Sequence, residues 1–209
     1  MDARPRKDLV VLVPDKQMES AVRGILERRQ SLRIRPVDAD FLTHPERDPG
    51  CLNRGHELLR AFARSHDHAL VLLDRKGCGS DAPAEELERR LVRSLSRSGW
   101  DRRADAIVLD PELENWVWAD SPEVDAVLGW AGRKPDLRTW LRSNGHLRPN
   151  AVKPERPKEA FQAALRVVGQ PRSSSLFAQL AGRVGLARCR DRAFLKLKAR
   201  LREWFPGRS

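Results

Sequence analysis

The sequence predicts an α/β fold: a small doubly wound parallel sheet followed by a mostly helical, basic C-terminal lobe. Three observations lead there. Short apolar runs at residues 9–13, 69–73 and 106–109 each end at a carboxylate. The segments between them carry apolar residues at helical spacing, and strands separated by helices make a parallel sheet. After Asp110 the strand signals stop and the charge changes: residues 1–120 hold 21 Lys/Arg and 22 Asp/Glu, residues 121–209 hold 19 and 7. The right-handed crossover rule leaves few topologies for such a chain.

The elements follow in order. Residues 9–13 read as a buried strand. Residues 16–29 read as a helix with Met18, Val22, Ile25 and Leu26 on one face. A second strand is expected over 34–40, then a loop over 43–50 and a helix over 51–64 built on Leu52, His56, Leu59 and Ala63. Residues 68–74 form the third strand and 77–81 a loop. Pro83-Ala84-Glu85-Glu86 suits a helix first turn, with Leu87, Leu91 and Leu95 inward. The fourth strand spans 104–109. Beyond it come a short helix at 113–118, a capped start at Ser121-Pro122, and a proline-rich basic stretch over 134–158 with one helix near Trp140. Helices at 157–168, from Ser173 to about 184, and from Asp191 onward complete the chain. The expected division is residues 1–120 for the sheet and 121–209 for the helical lobe packed on it.

Composition narrows the function classes. At 209 residues the chain is long enough for a real core. No stretch approaches the roughly 18 apolar residues of a membrane helix, and no apolar signal core follows the N-terminus. The expectation is a cytoplasmic protein with no membrane partner. Cys51, Cys78 and Cys189 are odd in number and widely spaced, which excludes a disulfide framework or a Cys-x-x-Cys zinc site. Cys78 lies in Gly77-Cys78-Gly79-Ser80, but no histidine is placed to act as its base. The net charge of +11 belongs to the C-terminal portion and points to a polyanion, with Arg190, Arg192, Lys196 and Lys198 as candidate nucleic-acid contacts. The competing reading is a solvated surface in an arginine-rich proteome, since only 8 of the 40 basic residues are lysine. Trp116, Trp118, Trp130 and Trp140 suit core packing better than base stacking.

The strand ends carry the candidate chemistry. A parallel sheet brings them to one edge, where Asp15, Asp74, Glu112 and Glu114 would share a crevice, with Glu19 one turn beyond Asp15. Clustered carboxylates repel unless a cation or proton sits between them. Magnesium (Mg2+) takes oxygen ligands and keeps several waters, so two or three carboxylates suffice. Asp15, Asp74, Glu112 and Glu114 are therefore candidate metal ligands, with Asp74, Glu112 and Glu114 as catalytic candidates for metal-assisted hydrolysis. Lys16, Arg75 and Lys76 stand beside them to hold phosphate oxygens, Lys16 at a helix start. Glu112 and Glu114 are two apart and face differently on a helix. One belongs to the crevice and the other to a salt bridge with the basic lobe; the spacing leaves open which.

The residues Asp110-Pro111-Glu112-Leu113-Glu114-Asn115-Trp116-Val117-Trp118-Ala119-Asp120, together with residues 47–56 and 193–206, resemble the Toprim-like proteins of bacterial phage-defence islands. The resemblance covers nearly the whole chain and is similar to a component of a methylation-associated defence system. It implies magnesium-dependent phosphodiester chemistry, with a glutamate after the first strand and an Asp-x-Asp after the third. Here Pro14 stands at the glutamate position with Asp15 next to it. Asp74-Arg75-Lys76 keeps the first aspartate and has Lys76 at the second, where its charge opposes a cation. Two functions follow. One is a defence component that engages nucleic acid through metal-dependent cleavage. The other is a non-catalytic subunit that binds DNA or another defence-system protein.

Overall fold

Uninterrupted Val/Leu/Ile runs are stable as strands only when both faces are covered. The computed structural model, which describes residues 5–119, 121–185 and 189–207, has four such strands. They are β1 (Lys7–Val13), β2 (Ala39–Thr43), β3 (His66–Asp74) and β4 (Ala104–Leu109). All neighbours are parallel, in the order β2-β1-β3-β4. The α/β class and parallel sheet read from the sequence are the architecture observed.

Ten α-helices are seen among the described residues: α1 (Lys16–Glu27), α2 (Arg29–Leu32), α3 (Arg47–Arg60), α4 (Ala84–Leu95), α5 (Glu114–Val117), α6 (Pro122–Val127), α7 (Leu137–Ser143), α8 (Pro157–Val168), α9 (Ser174–Arg183) and α10 (Arg192–Trp204). Asp120, where the expected sheet unit ends, lies outside the described residues.

Side chains alternate across the pleat. Leu9, Val11 and Val13 of β1 join one core with Leu70, Leu72, Met18, Phe161, Phe177, Phe194 and Leu197. Val10 and Leu12 join the other, with Leu59, Leu87, Leu91 and Trp100. The first face is thus covered by α1 and by helices of the C-terminal stretch, the second by α3 and α4. Gly24 allows α1 and α9 to approach closely: a Cβ there would lie 2.9 Å from the Ala181 Cβ on α9.

Two elements depart furthest from the sequence expectation, the second strand and the helix after it. The second strand begins at Ala39 rather than at residue 34. Ile34 instead makes an isolated antiparallel bridge with Pro206, and Arg35 donates its N–H to Phe205. Pro36, which lacks an N–H, cannot extend a ladder. The helix expected over 51–64 starts at Arg47, so Asp48, Pro49 and Gly50 belong to its first turn and not to a loop. Proline is tolerated there because first-turn N–H groups have no helical partner. Gly50 is required by contact, since a Cβ would meet the His44 ring at 2.0 Å.

β4 is an edge strand, and α10 covers it. Arg192, Lys196 and Arg200 recur every four residues, hence on one helix face. Arg192 donates to the Val108 carbonyl at 2.9 Å and Lys196 to the Ala106 carbonyl at 2.6 Å. Glu88 of α4 accepts the Val108 N–H at 2.9 Å. Ion pairs close the network: Arg192–Glu88 and Lys196–Glu88 at 3.0 Å, Lys196–Asp105 at 3.0 Å and Arg200–Asp105 at 2.7 Å. Unpaired strand groups are a template for aggregation, and this network consumes them.

An acidic crevice at the strand ends

The strand order sets where the crevice lies. From β1 the chain leaves toward β2 on one side, and from β3 toward β4 on the other. Adjacent strands whose connections diverge leave a gap at their carboxyl ends. Asp15 follows β1, and Asp74 is the last residue of β3. The His44 N–H bonds to Val13 at 2.9 Å, prolonging the β1–β2 ladder and bringing the start of α3 to the same edge. The N–H groups of Arg75 and Lys76 bond to Leu109 and Pro111, holding the turn after β4 alongside.

Asp48, read from the sequence as a loop residue, is the carboxylate that reasoning missed. Its Oδ1 accepts the Asp74 N–H at 2.8 Å. Asp74 itself is short of partners: its Oδ1 is sealed from solvent and has no hydrogen-bond partner among the described residues. Burial first, then the charges of Asp48, Glu114, Glu112 and Asp15, push its carboxyl well above the ordinary aspartate range. Burial also raises Asp48, with Asp15 adding to it, while the Asp74 N–H works in the opposite direction. Glu112 is raised mainly by burial, and the Lys158 N–H, donated at 3.1 Å, partly offsets this. Burial and the charges of Asp48 and Asp15 together push the neighbouring Cys51 thiol upward, which keeps it un-ionised and unreactive.

The other candidates have distinct surroundings. Glu114 is only 1 % exposed and receives two bonds from Arg172, at 3.1 and 2.7 Å, so it is the glutamate that pairs with the C-terminal portion. Glu112 lies 4.0 Å from the Lys76 ammonium, and both glutamates are close enough to Asp74 for their charges to raise it. Asp15 caps α1, its Oδ1 accepting the N–H groups of Gln17 and Met18 at 2.9 Å. The amides that would have supported an anion beside Lys16 are therefore taken. Lys16 pairs with Glu19 at 2.7 Å, and Glu19 also holds Arg23, so Glu19 is neutralised on its own helix. Arg75 pairs with Asp110 at 2.8 Å and Lys76 with Glu159 at 3.1 Å. These cations border the crevice, each held by a carboxylate.

Of the expected nucleic-acid contacts, Arg192 and Lys196 are engaged in the β4-edge network, while Arg190 is exposed and Lys198 partly buried. The tryptophans pack as expected of core residues: Trp118 donates to Pro157 and Trp116 to Asp191, while Trp130 contacts Trp140. Cys78 is buried against Ser80. Among the described residues, no three His, Cys, Asp or Glu side chains converge closely enough to hold a metal ion as they stand.

Comparison with protein-family models, with curated proteins and with solved structures returns no match.

Proposed function

We propose that the protein is a Toprim-like component of an anti-phage defence system, working in the cytoplasm, that engages nucleic acid and cleaves phosphodiesters with a divalent cation at the acidic crevice. The observation that carries this reading is Asp74. It is a carboxyl with a buried, unpartnered oxygen, pressed by four neighbouring carboxylates. Such a group stays neutral by holding a proton, or ionises when a cation replaces the proton. The donors are all oxygen, which suits magnesium or manganese. Asp48 and Asp74 would contribute the carboxylates, with water filling the remaining positions and the charges of Asp15 and Glu112 nearby. When bound, the ion supplies charge for a developing phosphorane and a more acidic water.

The chain's own residues do the rest. Asp48 fixes the β3 terminus through the Asp74 N–H and supplies a second carboxylate where the motif after β3 has Lys76. Lys76, held by Glu159 and near Glu112, sets one positive charge at the mouth, where a phosphate oxygen would replace Glu159 as its partner. Arg75 does the same from Asp110.

Calorimetric titration of the full chain with manganese, on wild type and Asp74→Asn, tests the reading. Saturable binding in the wild type that vanishes in the variant is the expected result, followed by cation-dependent cleavage of DNA or RNA. Absence of binding at millimolar ion sinks it. A second reading then stands on two observations: Lys76 at the second aspartate position, and the use of Asp15 as a helix cap. It is a non-catalytic subunit that keeps the fold and binds DNA or another defence-system protein. Nucleic-acid affinity without cation binding, falling steeply with salt, is its signature.

A further inference from the structure

The residues read as the basic surface of the C-terminal stretch are partly consumed at the β4 edge, which raises the question of where uncompensated positive charge collects. One such place is the opposite end of the sheet. Helix α1 runs from the crevice to its last residue, Glu27, about 18 Å away at 1.5 Å per residue. There the chain turns through α2 and returns to β2, and with Pro206 and Gly207 it walls a groove of about 1350 Å3. Arg28, Arg29, Arg33 and Arg35 line it against one acid, Glu27.

The pairing of these arginines separates them. Arg35 is neutralised by both oxygens of Asp8, at 2.6 and 2.8 Å. Arg28 donates to the Ala181 and Val184 carbonyls, which hold the guanidinium in place without cancelling its charge. Arg202 stands behind the turn in the same way, its Nε donating to the Leu32 carbonyl at 2.7 Å. Arg29 and Arg33 are exposed and have no carboxylate partner among the described residues.

The backbone at Arg33 fixes how its side chain is presented. It closes α2 with φ of 57° and ψ of 49°, the left-handed region that favours glycine or asparagine. Its backbone is held there by the Gly207 N–H, which bonds to its carbonyl at 3.2 Å. An arginine at such a position is strained, and local structure gives its exposed side chain nothing to do. Arg47 and Arg102 take the same backbone state, so the positive φ sets the direction in which the Arg33 side chain leaves the turn and is not by itself a mark of a site.

We infer that this groove binds a nucleic-acid phosphodiester backbone, through Arg29 and Arg33 with Arg28 behind them. Its volume exceeds the roughly 300–1,000 Å3 of small-molecule pockets and suits a polymer. It has no aromatic lining on which bases would stack, so the contact is to phosphate and independent of sequence. Protein partners are anchored above all by aromatic side chains, and the groove offers none; its apolar groups are Ile34, Pro36 and Pro206. The inference goes beyond the crevice reading and needs no cation.

The test is fluorescence anisotropy on the full chain with a labelled DNA duplex and single strands of DNA and RNA over a range of salt. Wild type should bind at least one of them with steep salt dependence. Arg29→Glu with Arg33→Glu should weaken binding at least about tenfold and flatten the log–log salt slope by about 2. Arg33→Gly should weaken binding without lowering Tm, a combination that a purely structural arginine would not produce. Asp74→Asn should lose cation binding and keep nucleic-acid binding, so that the two proposals fail separately. Wild-type failure to bind any of the three, unchanged affinity in both arginine variants, or equal affinity for poly-glutamate, which would mean an acidic protein partner, each overturns the assignment.

Discussion

Two regions of this molecule bury carboxylates, and they treat them in opposite ways. At the β4 edge, Glu88 and Asp105 are 5 % and 4 % exposed, and each meets two basic side chains of α10. Glu88 also takes a strand N–H, so its acceptor capacity is used. At the strand ends, Asp74 has an oxygen with no partner, and its nearest charges are of its own sign. Removing a charge from water costs several kcal/mol unless attraction and hydrogen bonds offset it. The first region meets that condition within the chain. The second has no such attraction within the chain, which favours the protonated form of Asp74 and leaves it responsive to whatever arrives. The contrast teaches that carboxylate burial does not by itself single out a site; what separates the two regions is whether each buried oxygen has a partner.

The comparison can be broken from either side. The largest effect is expected at the edge. Glu88→Ala strips Arg192 and Lys196 of their shared partner and orphans the Val108 N–H. A loss of about 2–3 kcal/mol in urea unfolding is expected, at the low end for buried pairs because the cations are partly exposed. A loss below about 0.5 kcal/mol would mean the network is decorative.

Asp74→Asn comes next and carries the opposite sign. The folded state holds the Asp74 proton more tightly than the unfolded chain does, because burial and four carboxylates disfavour the ionised form. Stability from this group is therefore full below the ordinary aspartate pKa of 3.8 and falls as pH rises toward its raised folded value. The variant should be more stable than wild type at pH 7 by on the order of 1 kcal/mol. Its Tm should decline less between pH 4 and pH 7, and manganese, which raises the wild-type Tm, should no longer do so. A variant less stable than wild type across that whole range would show that Asp74 serves packing.

Lys76→Ala is the smallest expected change. Lys76 and Glu159 are about half exposed, at 52 % and 46 %, so their bridge contributes less than about 0.5 kcal/mol to stability. Cation affinity should nevertheless rise a few-fold, because a positive charge near Glu112 is gone. Weaker manganese binding in this variant would count against the place assigned to Lys76.

Much of the fold was legible because it rests on local pattern. The apolar runs that end at Asp15, Asp74 and Asp110 announced three strands, and the caps Ser173 and Asp191 announced α9 and α10. The start of the second strand was not, because Ile34 looks like a strand residue and is taken instead by Pro206 from the far end of the chain. In the crevice, carboxylates at strand ends could be read from their position. Asp48 could not: Asp48-Pro49-Gly50 has the composition of a turn, and its place in a helix depends on a glycine that fits against His44. The signal available was the proline, which suits a helix first turn as well as a loop.

What the sequence determined by itself was periodicity and sign: where apolar residues alternate or recur, which strands end in acid, and which portion is basic. These are properties of neighbours along the chain. Which charges meet was decided only by tertiary structure. Arg192 and Lys196 on one helix and Arg29 and Arg33 on another turn are all basic residues, and nothing in their neighbours along the chain tells the two pairs apart. The packing of α10 against β4 gave the first pair carboxylates, and the open groove left the second pair without them. The reason is physical: the cost of a charge depends on what surrounds it in three dimensions, and neighbours in the chain supply only part of that surrounding.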